Sequence, residues 1–394
     1  MPNTIIRQLE GDEMLDVRYG LNTYAFRASP PLVNKTEWKE TVRGQKGFIY
    51  LALFEDEIPA AAAATTRMTQ QVRGALFPAG GVWGVATAPG ARRKGYARRV
   101  LERLFAADRQ DGAVFSCLYP FRESFYERLG YVTFPLPRTA RFSPHALAPL
   151  LKKDLGGKVE LLPILEGYDI FRSYLAKLRQ SIHGMLLFDQ TDPSWAQHMH
   201  YWLALAKVNG EITGMLLYAL KGDAIAEFEL QARYFYATTS LGKYLLLQWI
   251  ALHADQTNRV RIDLPPFEQP ETWLSDMQVK TESVARAPMG RVLDVALIGG
   301  MHTGPGSFTA RLSDPFCPWN EGNWRFETVD GRLQVRPVES AACDLSIQAL
   351  SGLVYGCHNP ADFAIRGWGS PALEVQQVMR TMFPPLIPFM HEEF

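Results

Sequence analysis

The segment from Gly80 to Ala107 restricts the fold more than any other part of the chain. Gly80 to Ala88 is apolar and β-prone, Pro89-Gly90 breaks it, and a helical pattern begins at about Arg92. Ala97, Val100, Leu101, Leu104 and Phe105 recur at helical spacing, while Arg98, Arg99, Glu102 and Arg103 take the opposite face. A buried strand, Ala113 to Tyr119, follows. A helix with one apolar stripe needs a surface to cover, and the strands before and after it supply one. The expectation is a mixed sheet with covering helices.

The flanking sequence extends that sheet. Asn3 to Glu10 reads as a strand and Asp12 to Phe26 as a helix, closed off by Pro30-Pro31. Gly47 to Phe54 and Ile58 to Met68 read as strands joined by the turn Glu55-Asp-Glu57. Ala60 to Ala64 favours helix by propensity, but Pro59 before it and Thr65-Thr66 after it favour a strand. A short helix at about Arg122 to Leu129, stopped by Gly130, leads to a strand at Tyr131 to Phe134.

From about residue 160 a weaker copy appears: Tyr201 to Leu205, the turn Asn209-Gly210, Ile212 to Tyr218 and Ala226 to Leu230. A helix at about Leu241 to His253 and a strand at Arg259 to Leu264 complete it, as a duplication would. After Pro265, Pro266, Pro270 and Pro288 the character changes. Hairpin-like segments (Phe308 to Leu312, Trp324 to Thr328, Arg332 to Arg336) precede helices near Ser346 to Tyr355 and Pro371 to Met382. At 394 residues the chain exceeds what one core usually serves. The expected division is 1–150, 151–287 and 288–394, all of α+β character.

Lys+Arg and Asp+Glu balance at 41 each, so the basic excess of a bulk nucleic-acid binder is missing. No apolar run approaches the ~18 to 20 residues of a membrane span, and Met1 to Glu10 lacks a secretion-signal layout. Cys117, Cys317, Cys343 and Cys357 show no metal-type spacing, and the histidines form no HExxH. A cytoplasmic protein without metal, membrane or nucleic-acid partner is expected.

Chemistry concentrates at Val85-Ala-Thr-Ala-Pro-Gly-Ala-Arg-Arg-Lys-Gly-Tyr-Ala97, whose core is Arg92-x-x-Gly95-x-Ala97. The first turn of a helix has unpaired N–H groups and a partial positive charge, which suit a pyrophosphate. Gly95 and Ala97 keep side chains away from it, and Arg92, Arg93 and Lys94 add charge. A basic helix start is common on protein surfaces, so the pattern gains its weight from the strand before it and from Phe125-Tyr-Glu-Arg-Leu-Gly-Tyr131 after it.

With those segments the chain resembles the GNAT acetyltransferase superfamily. The resemblance implies acetyl-CoA as cosubstrate, with the backbone of Val85 and Thr87 beside the pantetheine arm and the amides of Arg93, Lys94, Gly95, Tyr96 and Ala97 on the pyrophosphate. Tyr126 matches the tyrosine that faces the cofactor sulfur. Two tandem GNAT-like units of mixed β-sheet with flanking helices, only the first with an intact motif, and then a sterol-carrier-like α+β domain resemble the bacterial enhanced intracellular survival acetyltransferases. Met289-Gly-Arg-Val-Leu-Asp-Val295 and the ending Glu392-Glu-Phe394 take part in that likeness. In the second unit Ala237-Thr-Thr-Ser-Leu-Gly-Lys243 departs from the motif and implies no CoA site.

The family further implies that the carboxylate of the last residue, Phe394, lies in the catalytic pocket. Phe383-Pro-Pro-Leu-Ile-Pro-Phe-Met390 is apolar and stiffened by proline, so its tail is expected to dock. Trp38, Trp83 and Glu393 are candidates for an amine pocket, although each tryptophan would serve equally well in a core. The acceptor would be a primary amine of polyamine, aminoglycoside-like or lysine type, and the assembly a homo-oligomer, a hexamer by the resemblance. The competing readings are a lipid or sterol carrier without catalysis, resting on the C-terminal part alone, and an aminoacyl transferase.

Overall fold

The structure, a computed structural model, describes residues 3–27, 29–191, 199–224, 227–284 and 286–394. The chain divides into two compact units. The first combines residues 1–134, 182–191 and 288–394, and the second 135–181 and 192–287.

The first unit opens with β1 (Thr4–Gln8), α1 (Gly11–Arg27) and α2 (Lys35–Val42). The expected reading has no counterpart to α2, whose cap is Asn34: its side chain accepts from Thr36 N at 2.9 Å. Then come β2 (Phe48–Glu55), β3 (Ile58–Val72), β4 (Ala75–Thr87), α3 (Tyr96–Gln110), β5 (Phe115–Leu118), α4 (Glu123–Glu127) and β6 (Val132–Thr133). The alanine run is strand. All of Ala60 to Ala64 is buried in β3, small enough for α1 to cover one face and α3 the other. β3 and β4 run longer than expected and meet at a two-residue turn, Arg73-Gly74, with φ of 47° and 78°.

Among the described residues the sheet has eight strands. Two come from distant sequence: Leu186–Phe188 pairs with β3, and Met289–Val292 fills the place between β5 and β6. Arg291 on the latter strand is fully buried and ion-paired with the fully buried Asp314, which also accepts from Asn320 Nδ2 at 2.8 Å. Beyond it a four-stranded sheet (Ser307–Ser313, Gly322–Val329, Arg332–Pro337 and Cys343–Ser346) carries helices Ile347–Tyr355 and Leu373–Met382. One continuous core joins Val72 and Phe115 of the first sheet to Phe326, Leu350 and Met382.

The second unit has a seven-stranded sheet among the described residues. Its meander runs through Lys158–Pro163, Trp202–Val208, Glu211–Lys221 and Phe228–Ala237. The helix Ser240–Ala251 then leads to Thr257–Leu264, parallel to Phe228–Ala237. Arg138–Phe142 joins this sheet beside Thr257–Leu264. Of the strand expected at Ala226 to Leu230, Ala226 lies outside the described residues.

Candidate functional site

Two irregularities in the first sheet meet beside α3. The pairing of β4 with β5 runs only from Ala79↔Phe115 to Val82↔Leu118. From Trp83 to Thr87, β4 keeps β3 alone as its partner strand. That leaves an edge on which an extended ligand can pair with the backbone as an added strand. Here β4 also bulges: Ala62 faces Ala86 and Ala64 faces Trp83, so Gly84 and Val85 share Ala63. Gly84 takes φ 63°, and a β-carbon there would lie 3.1 Å from Asn22 Nδ2. The expected site omitted Gly84; a glycine between Trp83 and Val85 inside an apolar strand is the signal that could have found it.

The helix starts at Tyr96 rather than Arg92, because Arg93 (φ 63°) and Gly95 (φ 78°) are left-handed and cannot continue a helix. Arg92, Arg93 and Lys94 therefore belong to the loop. Arg99 N donates to Gly95 O at 3.2 Å, so the amides of Tyr96, Ala97 and Arg98 precede the first bond of the ladder. Gly95 supplies no side-chain cap, and a β-carbon on it would meet nothing within 4 Å. The positive end of α3 thus faces open space.

The three loop cations differ in what they can offer. Arg92 and Arg93 are exposed, with the Arg92 guanidinium 5.8 Å from the Tyr24 ring centre. Lys94 Nζ instead donates to both Glu55 oxygens at 2.8 Å, and Tyr96 Oη donates to Glu55 Oε1 at 2.8 Å. Those bonds hold the Glu55 carboxyl below its ordinary pKa and tie the loop to the end of β2. Tyr96 is buried, so it brings its amide rather than its ring to the loop.

Tyr126 on α4 is buried among Phe125, Phe121 and Tyr131, with ring centres 5.0, 5.6 and 6.0 Å away. It shares a core with Val82, Ala91 and Leu118, where β4 and β5 part. Its hydroxyl makes no hydrogen bond among the described residues, and burial pushes the phenol well above its ordinary pKa. At neutral pH the phenol is protonated and able to donate a hydrogen bond.

The C-terminal tail is docked. Phe389 N donates to His183 O at 2.9 Å, and Met390, His391 and Glu392 are buried, whereas Glu393 is exposed. The Phe394 ring lies over Gly81 of β4, where an added β-carbon would come within 3.0 Å of it. Tyr119 and Phe188 pack edge-on against it, centres 5.9 and 6.3 Å away. Arg73, buried at the hairpin tip, donates to Val354 O at 2.7 Å and to Leu353 O and Pro384 O at 2.9 Å, bracing helix and tail together.

Trp83 stands on the same strand, its Nε1 donating to Thr66 Oγ1 at 2.8 Å, and Thr66 is the register partner of Gly81. Trp38 on α2 packs on Tyr19 at 5.4 Å. The two tryptophans flank a cation the chain supplies itself: the Arg18 guanidinium, 4.5 Å from the Trp83 ring centre and 5.5 Å from that of Trp38.

Residues 6–134 match the family model of the acetyltransferase (GNAT) domain, and residues 300–391 that of the sterol carrier protein domain. The chain carries a GNAT acetyltransferase domain. The loop before α3, the parted strands and Tyr126 all lie within that domain, and Phe394 falls just past the sterol carrier match. Among curated proteins nothing matches the chain.

Solved structures share its fold from end to end. A GCN5-related N-acetyltransferase of Anabaena variabilis has a TM-score of 0.82 at 15% identity, covering 100% of both chains. One from Kribbella flavida has 0.80 at 18%, covering 100% of this chain and 99% of that one. Eis1 of Mycobacterium abscessus has 0.77 at 16%, covering 100% of both. No helix among the described residues is long and apolar enough to cross a membrane.

Proposed function

We propose that the GNAT domain transfers an acetyl group from acetyl-CoA to a primary amine. The observation that carries this reading is the uncapped start of α3 at Gly95 beside the unpaired edge of β4. The amides of Arg93 to Ala97 would hold the pyrophosphate, with Arg92 and Arg93 as free counter-charges. The backbone of Val85 and Thr87 would pair with the pantetheine arm. Acetyl-CoA supplies an activated acyl thioester, and the protein's work is to position it and manage protons.

Tyr126 would donate a hydrogen bond to the sulfur as the C–S bond breaks. A phenol with its pKa raised by burial favours sharing its proton with a thiolate over losing it to water. The terminal carboxylate of Phe394 would orient the amine and stabilise the positive charge that grows on nitrogen as the N–C bond forms. A cytoplasmic homo-oligomer, hexameric in form, belongs to the same proposal and is read by sedimentation.

Incubation with acetyl-CoA and a panel of amines, including a polyamine, an aminoglycoside and lysine, should release free thiol with at least one acceptor. Acetyl-CoA bound without thiol release from any amine would overturn the reading and favour the carrier alternative.

A further inference from the structure

Arg18 is anomalous for a cation that burial has largely removed from water. The acidic side chains of its own helix are directed elsewhere: Asp12 to Arg43 at 2.9 Å, Glu13 to Arg7 at 3.1 Å, and Asp16 to Lys35 and Lys39 at 2.6 and 2.7 Å. None of the ion pairs among the described residues includes Arg18, whose hydrogen bond goes to the neutral Gln45 Oε1 at 2.8 Å. Burial lowers its pKa from the ordinary value. A guanidinium has five N–H donors, and leaving most of them unmatched in a sheltered position is costly unless something anionic visits.

Two neighbouring polar atoms are also unmatched. Tyr50, close enough to Arg18 for each to shift the other's titration, is 1% exposed, and its hydroxyl has no partner. Asn22, against the Gly84 bulge, has a buried amide oxygen without a partner. Trp83 links this cluster, through Thr66, to the Gly81 position on which the Phe394 ring rests. A cationic corner and the Phe394 ring therefore share one face of β3 and β4.

Resting on the acetyl-transfer reading, we infer that Arg18, between Trp38 and Trp83 with Tyr50 and Asn22 beside it, binds the carboxylate of an amino-acid-type acceptor. The acceptor's amine then points toward the terminal carboxylate of Phe394, and its carboxylate toward the guanidinium. Arg suits this role because its planar fork meets a carboxylate with two bonds while its faces lie on aromatic rings. The same charge disfavours a polycation, whose further ammonium groups would approach Arg18.

The test pairs acceptors that differ only in a carboxylate, lysine against cadaverine and phenylalanine against phenethylamine, with thiol release as readout. The carboxylate-bearing member should have the higher kcat/KM by on the order of 10- to 10²-fold. Arg18→Met, which keeps an apolar filler between the tryptophans, should bring that ratio near one by raising KM, and Arg18→Lys should retain part of it. Unchanged acetyl-CoA affinity by calorimetry shows that the variants fold. Turnover of both members at equal efficiency, or a ratio that survives Arg18→Met, overturns the carboxylate subsite and leaves acetyl transfer standing. No thiol release from any amine brings down both.

Discussion

In the first sheet β4 lies antiparallel to β3 and parallel to β5. In the second, Phe228–Ala237 stands in the same relation to Glu211–Lys221 and Thr257–Leu264. Both parallel pairings stop part-way, at Val82 and at Ala232, and both strands bulge just beyond, at Gly84 and at Arg233. The helix starts then diverge. α3 follows Gly95 without a side-chain cap, whereas Ser240–Ala251 follows Thr239, whose Oγ1 accepts from Gly242 N at 3.0 Å. In the second unit a side chain takes the third amide of the helix, the counterpart of Arg98 N, which no side-chain cap takes in α3. A similar strand arrangement therefore carries two different helix starts; the residue at the cap decides whether the amides there are already paired.

The two glycines at these starts break the comparison most sharply. Gly95→Asp forces a left-handed position onto a residue with a β-carbon and sets a carboxylate at the uncapped start of α3, where the proposed pyrophosphate would lie. Acetyl-CoA affinity should fall on the order of 10³-fold. Gly242 serves packing instead: a β-carbon there would lie 2.3 Å from Thr213 O. Gly242→Ala should lower stability by about 1 to 3 kcal/mol and leave acetyl-CoA affinity alone. Calorimetry and urea unfolding on both variants decide it, and a folded Gly95→Asp protein with full affinity would remove the loop from contention.

The next effects concern residues that only the first unit carries. An affinity tag after Phe394 adds chain beyond a ring already seated between Tyr119 and Phe188. It should cut turnover more than about 10²-fold while acetyl-CoA still binds. Tyr126→Phe keeps the aromatic packing and removes one donor, and turnover should fall on the order of 10²-fold at unchanged cofactor affinity. Full turnover by the tagged enzyme at saturating amine would make the terminus a bystander. Equal rates for Tyr126 and Phe across pH 6 to 9 would do the same for the hydroxyl.

Local patterns made much of this legible in advance. The stripe on α3 and the break at Pro89-Gly90 lead directly to the strand–loop–helix unit, and the apolar tail to its docking. Other features depend on tertiary context. Lys94 looks like a phosphate ligand in the sequence but answers to Glu55 on β2, a partner 39 residues away. Arg18 sits in an unremarkable amphipathic helix, and nothing local indicates that Trp38 and Trp83 converge on it. Met289–Val292 reads as the start of the C-terminal part. It pairs with β5 because that strand leaves an edge open, a fact only the assembled sheet reveals.

The smallest expected change in activity, with a measurable one in stability, comes from the helices themselves. The second helix, Ser240–Ala251, carries no acid, whereas α3 buries Asp108 against the sheet, where Thr65 Oγ1 donates to Oδ2 at 3.0 Å. One hydroxyl does not replace lost hydration, and burial raises the Asp108 pKa to about 7 from 3.8. The folded protein therefore holds a proton there that the unfolded chain has released. The associated stability is complete below about pH 4 and is lost as pH rises toward 7, by at most about 4 kcal/mol. Asp108→Asn keeps the shape and cannot ionise. Relative to wild type it should be close to neutral at pH 4 and more stable by a few kcal/mol at pH 8, with acetyl-CoA affinity unchanged because the side chain faces the sheet rather than the loop. Urea unfolding of both proteins from pH 4 to 8 measures the difference. A flat difference would mean that Asp108 stays ionised in the fold.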